Sequence, residues 1–300
     1  MGMLHQFVML SLLFLIGFFA SAKEPVKVAS IGNSVTYGYG LSDPGEQSYP
    51  AVLQKKLGKD YRVENFGHSG ATLLRRGHNP YYKTKAFVSA LQFKPDIAVI
   101  HLGLNDTDPR NFPNFRDELI PDYNWLIDTL KRANPQVKIF VCKLTPIFTG
   151  HPRFASSTFD WYHEVQDRIG QVAVINKAAV IDFYKALQNR PDLFTDAPTL
   201  HPNAAGTEKI AEIVYKHITG NFGGLQLPGI FADNMVLQRD KPLVFWGTAN
   251  ANTTVAVAFG KLQKSIRANS DGTWQLTFPP MKANSEPQAI TFTNGGQQVF

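Results

Sequence analysis

A chain of 300 residues, 44% of them apolar and 18% charged, has the composition of a folded globular protein and excludes a disordered or collagen-like one. Its net charge of +6 is spread thinly, with Lys55-Lys56 and Arg75-Arg76 the densest spots, so no basic stripe for nucleic acid is expected. Cys142 is the single cysteine, which excludes an intrachain disulfide; it lies in an apolar segment and is expected to pack as a small hydrophobe.

The chain opens on a targeting signal. Phe7 to Phe19 is almost continuously apolar, and Ala20-Ser21-Ala22 fits a small-residue cleavage site. Residues 1–22 therefore read as a signal peptide, with a mature start near Lys23 and an exported protein, periplasmic or secreted. The apolar run is short for a bilayer span. No stable membrane span is expected after cleavage, although the leader carries no Lys or Arg and an uncleaved anchor is the competing reading.

Val26 to Ile31 reads as the first buried strand, and it runs directly into Gly32-Asn33-Ser34. Ser48-Tyr49-Pro50 followed by Ala51 to Leu57 reads as a capped helix, with Gly58 just past its end. Tyr61 to Phe66 is a second strand, closed by Gly67-His68-Ser69-Gly70. Asp96 to Leu102 is a third, closed by Gly103-Leu104-Asn105-Asp106. A helix over 115–133, interrupted by Pro121, leads to a fourth strand, Val137 to Leu144. Residues 159–178 have mixed helical periodicity, Ala179 to Phe183 is a fifth strand, and Ala204 to Ile218 is a final amphipathic helix. Strands alternating with helices predict an α/β fold, a five-stranded parallel sheet with helices on both faces. Ligands bind such sheets beyond the carboxyl ends of the strands, so the three Gly-rich turns are expected to meet at one edge.

After Gly220 the pattern changes. Residues 221–226 read as a linker, and from Leu227 the residues are strand-like between turn signals such as Pro228-Gly229, Asn250-Ala251-Asn252 and Asp271-Gly272. This predicts a partial all-β, sandwich-like segment over 227–300.

The turns together hold the parts that acyl transfer needs. Ser34 is a nucleophile on a strand-to-turn junction, and His201 is a base just before Pro202. The Asn105 amide and the backbone N–H of Gly67 are donors for a developing oxyanion. Asp196 and Asp192, a short way upstream of His201, are carboxylates that can orient the imidazole. The plain alternative for Gly32-Asn33-Ser34 is an ordinary turn, since all three residues are turn formers.

In their order and content these blocks resemble the SGNH hydrolases, a branch of the GDSL esterases, over about 23–220. Gly32-Asn33-Ser34 matches the first block, the glycine of Asn65-Phe66-Gly67 the second, Gly103-Leu104-Asn105-Asp106 the third, and His201-Pro202 the last. The resemblance implies a flavodoxin-like three-layer αβα fold and no cofactor. It implies Ser34 as nucleophile, His201 as base, and the Ser34 N–H, the Gly67 N–H and the Asn105 amide as oxyanion donors. The family's Asp stands three residues before the His, where this chain has Pro198; Asp196 is the chosen substitute, with a Ser–His dyad oriented by a backbone carbonyl as its rival. Asn33 in place of Asp is a second departure. Residues 225–300, with Leu227-Pro228-Gly229-Ile230-Phe231-Ala232-Asp233-Asn234-Met235-Val236-Leu237-Gln238, Trp246-Gly247 and Pro279-Pro280-Met281, resemble the opening β-rich segment of sialate O-acetylesterases. The two resemblances together imply a serine esterase removing O-acetyl groups from carbohydrate. A lipid acylhydrolase and an inactive glycan-binding protein are the alternatives.

Other chemistry is thinly supported. Gly67-His68-Ser69-Gly70-Ala71 nearly matches a nucleophile elbow, which would make Ser69 the nucleophile. His68, His78, His101 and His151 lack ligand-like spacing, so no metal is expected, and His101 reads as a hydrogen-bonded core histidine. Among the aromatics Tyr81, Tyr82, Trp125, Trp161 and Tyr162, most are expected to pack; Trp161 and Tyr162 are the better candidates for a substrate cleft.

Overall fold

The computed structural model describes residues 24–148, 159–195 and 200–299. The expected signal peptide and Asp196 lie outside the described residues.

The first half is built on strands β1 (Val26–Gly32), β2 (Tyr61–Gly67), β3 (Ile97–His101), β4 (Lys138–Lys143) and β5 (Ala179–Asp182). They form one parallel sheet in the order β2-β1-β3-β4-β5. β3 lies at the centre and is buried at every residue, as an apolar run covered on both faces must be. The helices are α1 (Ser34–Tyr37), α2 (Pro44–Gln47), α3 (Tyr49–Leu57), α4 (Lys85–Phe93), α5 (Phe112–Phe115), α6 (Leu119–Ala133), α7 (Phe159–Asn176), α8 (Phe183–Leu187) and α9 (Ala204–Thr219). α3 packs on α9, while α4 and α7 pack on α6, which gives the two outer layers of a three-layer αβα domain.

Three local readings change. The crossover from β2 to β3 contains α4, to which the sequence pattern assigned no helix; it is nine residues long, capped by the Thr84 hydroxyl accepting from the Phe87 N–H. Pro121 does not interrupt α6. It lies in the first turn, where a missing N–H leaves no intrahelical bond unmade. Ser48 makes no side-chain cap to α3; its hydroxyl instead lies 3.4 Å from Asn65 Nδ2.

The second half has its own apolar core, around Phe245, Val257, Trp274, Phe278 and Phe292. β6 (Leu243–Thr248) pairs antiparallel with β9 (Thr273–Phe278). β7 (Thr254–Phe259), β8 (Leu262–Arg267), β10 (Ile290–Asn294) and β11 (Gln297–Val299) form a second sheet in the order β11-β10-β7-β8. β9 alternates exposed and buried residues along its whole length, the period-2 pattern of a half-covered strand. Residues 227–242 are turns and irregular chain instead of the expected strand. Asn234 and Asp240 hold positive φ there, and Pro228 and Pro242 remove ladder donors. The halves join where Phe222 packs on His217 of α9 and Asn250 Oδ1 accepts the N–H groups of Phe222 and Gly224.

Candidate active site

The three turns meet as expected, because the register aligns them. Gly32 at the end of β1 lies beside Gly67 at the end of β2 and beside His101 at the end of β3. The approach is close: a Cβ on Gly32 would overlap the Thr36 hydroxyl, and one on Gly67 would overlap the backbone nitrogen of Tyr37. Only glycine lets the nucleophile turn sit this deep against the neighbouring strand.

Ser34 is the first residue of α1, and Asn33 caps that turn with its side-chain oxygen, 3.0 Å from the Val35 N–H. An aspartate would do the same with a charge; the amide does it neutrally, and its own nitrogen is buried with no partner among the described residues. Ser34 is almost buried, and its Oγ lies 2.9 Å from His201 Nε2, the distance at which the hydroxyl donates to the imidazole. His201 comes from a loop clamped on both sides. Thr195 donates its N–H to the His201 carbonyl at 3.0 Å, Phe194 bridges Pro202, and Asn203 caps α9.

Of the two carboxylates upstream of His201, Asp192 is engaged elsewhere. It takes a forked pair of bonds from Arg190 at 2.8 and 2.6 Å on the surface, and that guanidinium holds its carboxyl below the usual range. Asp196 belongs to 196–199, outside the described residues.

The donor side carries one correction. Asn105 is nearly buried, and its amide donates to the Ala71 carbonyl at 3.0 Å. The Gly67 N–H was expected to be unshielded, but it donates to Asn65 Oδ1 at 2.9 Å. Three residues on, His68 to Ala71 form a turn closed by the Ala71 N–H on the His68 carbonyl at 3.1 Å, with Gly70 at φ +79°. The Gly70 N–H makes no hydrogen bond to any described residue, and the next residue carries the carbonyl that anchors Asn105. The sequence names Gly67 alone; the bond that engages its N–H comes from the side chain of Asn65, which no motif shows.

Buried carboxylates hold this loop. Asp106 accepts the N–H groups of Leu73 and Leu74 at 2.9 and 2.7 Å, and Asp122 accepts that of Arg75 at 2.7 Å. Burial pushes the Asp106 carboxyl up to about 6, against the lowering effect of those backbone donors. Asn111 then ties the other side, donating to the Asn105 carbonyl at 2.9 Å.

The remaining residues fall into place as packing. His101 is fully buried, its Nε2 accepts the Thr145 N–H at 3.3 Å, and burial pulls it down to about 3, so it stays neutral. Ser69 Oγ is buried with no partner among the described residues, so none of the described bases is hydrogen-bonded to it. Tyr162, expected near a cleft, is wholly buried, with its hydroxyl on the carbonyls of Leu144 and Thr145; Trp161, one residue earlier on α7, is half-buried. Among the described residues no group of three His, Cys, Asp or Glu side chains could hold a metal ion, and no helix is long and apolar enough to cross a membrane.

A buried serine hydroxyl hydrogen-bonded to an imidazole at the carboxyl edge of a parallel sheet is the arrangement found in serine hydrolases of the three-layer α/β class. Residues 30–209 match the model of the GDSL-like Lipase/Acylhydrolase family, and the chain belongs to that family, whose members are carboxylic ester hydrolases. It is 34% identical over 212 residues to an acetylxylan esterase of Xylanibacter ruminicola, covering 65% of this chain and 43% of that protein. A multidomain esterase of Ruminococcus flavefaciens is 21% identical over 269 residues, covering 79% of this chain and 34% of that protein. The chain thus spans less than half the length of either relative. The solved acetyl xylan esterase AlAXEase has the same fold, at TM-score 0.51 and 20% identity, covering 64% of this chain and 100% of that one. So has an arylesterase-like structure from Agrobacterium tumefaciens, at TM-score 0.51 and 19% identity, covering 64% and 98%.

Proposed function

We propose that the protein is a serine O-acetylesterase acting on carbohydrate, with acetylated plant xylan as the first substrate class to try. The 2.9 Å contact between Ser34 Oγ and His201 Nε2 carries this reading, and the similarity to an acetylxylan esterase supports the substrate. Ser34 Oγ attacks the ester carbonyl carbon while its proton passes to His201. The oxyanion is met by the Ser34 N–H, the Asn105 amide and the Gly70 N–H, the last in place of Gly67. The sugar hydroxyl leaves with the proton from the imidazolium. Water, deprotonated by the same imidazole, then releases acetate from Ser34. Asp196 is the proposed orienting carboxylate. We assign the protein to an exported compartment on the strength of its leader. The β-rich half resembles a segment of sialate O-acetylesterases, which makes O-acetyl sialate the second substrate to test.

The experiment is acetate release by the full chain from acetylated xylan, from O-acetyl sialate, and from p-nitrophenyl acetate, butyrate and octanoate. Fast cleavage of acetate esters with release from a glycan supports the proposal. Preference for octanoate replaces it with a lipid acylhydrolase, and a folded protein that cleaves none becomes a glycan-binding protein.

A further inference from the structure

The stretch that follows the nucleophile holds two aromatics that the chemistry above does not use. Tyr37 is 47% exposed and Tyr39 is 56% exposed. Every other described aromatic of the α/β half is buried or half-buried. The two exposed rings therefore both fall within five residues of Ser34. Their backbone is firmly held. The N–H groups of Gly38 and Tyr39 both donate to the Ser34 carbonyl, at 2.9 and 3.0 Å, and the Asn65 amide donates to the Thr36 carbonyl at 2.9 Å. Tyr39 stands between Gly38 at φ +91° and Gly40 at φ +86°, two left-handed residues that turn the chain sharply on either side of it. The ring of Tyr39 lies against His201, centroids 4.8 Å apart and planes inclined by 44°. Tyr37 is three residues after Ser34 on the same helical turn, which sets the two side chains on one face.

A phenol ring on a firmly held backbone, half open to solvent and touching the base, has the chemistry to recognise a sugar. The C–H face of a pyranose packs on an aromatic face while its hydroxyls stay in water, and two torsions cost little to order. We propose that Tyr39 is the stacking platform for the sugar ring that bears the acetyl group, with Tyr37 bordering the same subsite from the Ser34 side. A ring lying on Tyr39 sits beside the imidazole, so a single acetylated residue can present its ester to Ser34. This rests on the carbohydrate esterase reading and adds the residue that recognises the carbohydrate.

The test compares acetylated xylobiose with ethyl acetate, an ester without a ring, for the full-length wild type, Tyr39→Ala, Tyr39→Leu and Tyr39→Trp. The ratio of kcat/KM for the sugar ester to that for ethyl acetate is expected to fall about three- to tenfold in the Ala and Leu variants, and to be retained in the Trp variant. A parallel loss on both esters, leaving the ratio unchanged, would show Tyr39 acting only through His201 and would overturn the proposal. Binding of acetylated xylobiose to Ser34→Ala and to Ser34→Ala/Tyr39→Leu, by calorimetry, gives a readout without turnover; equal affinities also overturn it. A wild type that does not prefer the sugar ester brings down the esterase-on-carbohydrate reading and this one together. A wild type that does prefer it, with an unmoved ratio in the variants, brings down this one alone.

Discussion

The two halves of the molecule treat polar groups in opposite ways. In the β-rich half polarity follows the strand period: β9 turns Trp274, Leu276 and Phe278 inward and Thr273, Gln275 and Thr277 outward, and among the described residues the only buried polar one there is Asn294. The α/β half buries Ser30, Asn33, Ser34, His101, Asn105, Asp106 and Thr145, most of them at the carboxyl ends of β1, β3 and β4 or just beyond. Burying such groups opposes folding unless each is bonded. Asp106 is bonded and His101 is bonded through Nε2 alone; His101 Nδ1, the hydroxyls of Ser30 and Thr145 and the amide nitrogen of Asn33 are buried with no partner among the described residues. A half that needed only a core would have the first pattern. The second is the mark of an edge organised to hold reacting groups, with its stability carried by the apolar strands behind it.

The sharpest way to break the contrast is to remove the chemistry and leave the core. Ser34→Ala and His201→Ala should each lower kcat for p-nitrophenyl acetate by about 10⁴-fold or more, while the thermal unfolding curve barely moves. The opposite operation is Phe245→Ala. Phe245 is fully buried between Phe231, Phe278 and Phe292, and its truncation should destabilise the β-rich half by about 3–5 kcal/mol. At temperatures where Phe245→Ala is folded, its kcat should stay within about twofold of wild type. A parallel loss of activity would mean that the β-rich half supports the site, through Phe222 and His217 at the end of α9.

Next in size is Asn105→Ala. In its proposed role as an oxyanion donor its loss should cost about 10²–10³ in kcat with little change in KM, read from steady-state kinetics. A rise in KM alone would place the amide in ground-state binding instead. This residue also marks how far the sequence could be read. The meeting of Ser34 with His201 was legible because one follows a strand and the other precedes a helix, and the parallel order β2-β1-β3-β4-β5 puts the strand ends that carry Ser34 and Asn105 side by side. What could not be read depends on side-chain direction. Whether Gly67 or Gly70 keeps an unengaged N–H turns on Asn65 curling back by two residues. Whether Trp161 or Tyr162 faces the core turns on the phase of α7. Tyr39 did leave a signal, an aromatic between two glycines just past the nucleophile, but its exposure and its contact with His201 required the folded chain.

The smallest effect concerns pH, and two buried groups pull it in opposite directions. His101 is lowered from 6.5 to about 3 by burial. Its depressed value means that its contribution is complete above the unfolded value and is lost as pH falls from about 6.5 toward 3, because the unfolded chain takes up the proton first. Asp106 is raised from 3.8 to about 6, so its contribution is complete below 3.8 and is lost as pH rises through about 6. From pH 7 to 5 the histidine should cost about 2 kcal/mol and the aspartate should return about 1 kcal/mol. The histidine wins, because its displacement is the wider of the two. The net loss, about 0.6 kcal/mol before rounding, corresponds to a fall in Tm of about 1–2 °C. His101→Gln removes the histidine's part and leaves that of Asp106. It should be less stable than wild type at pH 7, since the buried ring that packs on Phe183 and accepts the Thr145 N–H is replaced by a flexible chain, and the gap should narrow on acidification by about 2 kcal/mol. Melting curves of both proteins at pH 7, 6 and 5 decide the matter. If the two Tm profiles run parallel, His101 titrates normally in the folded protein, and the carboxyl edge of β3 is wetter than its burial implies.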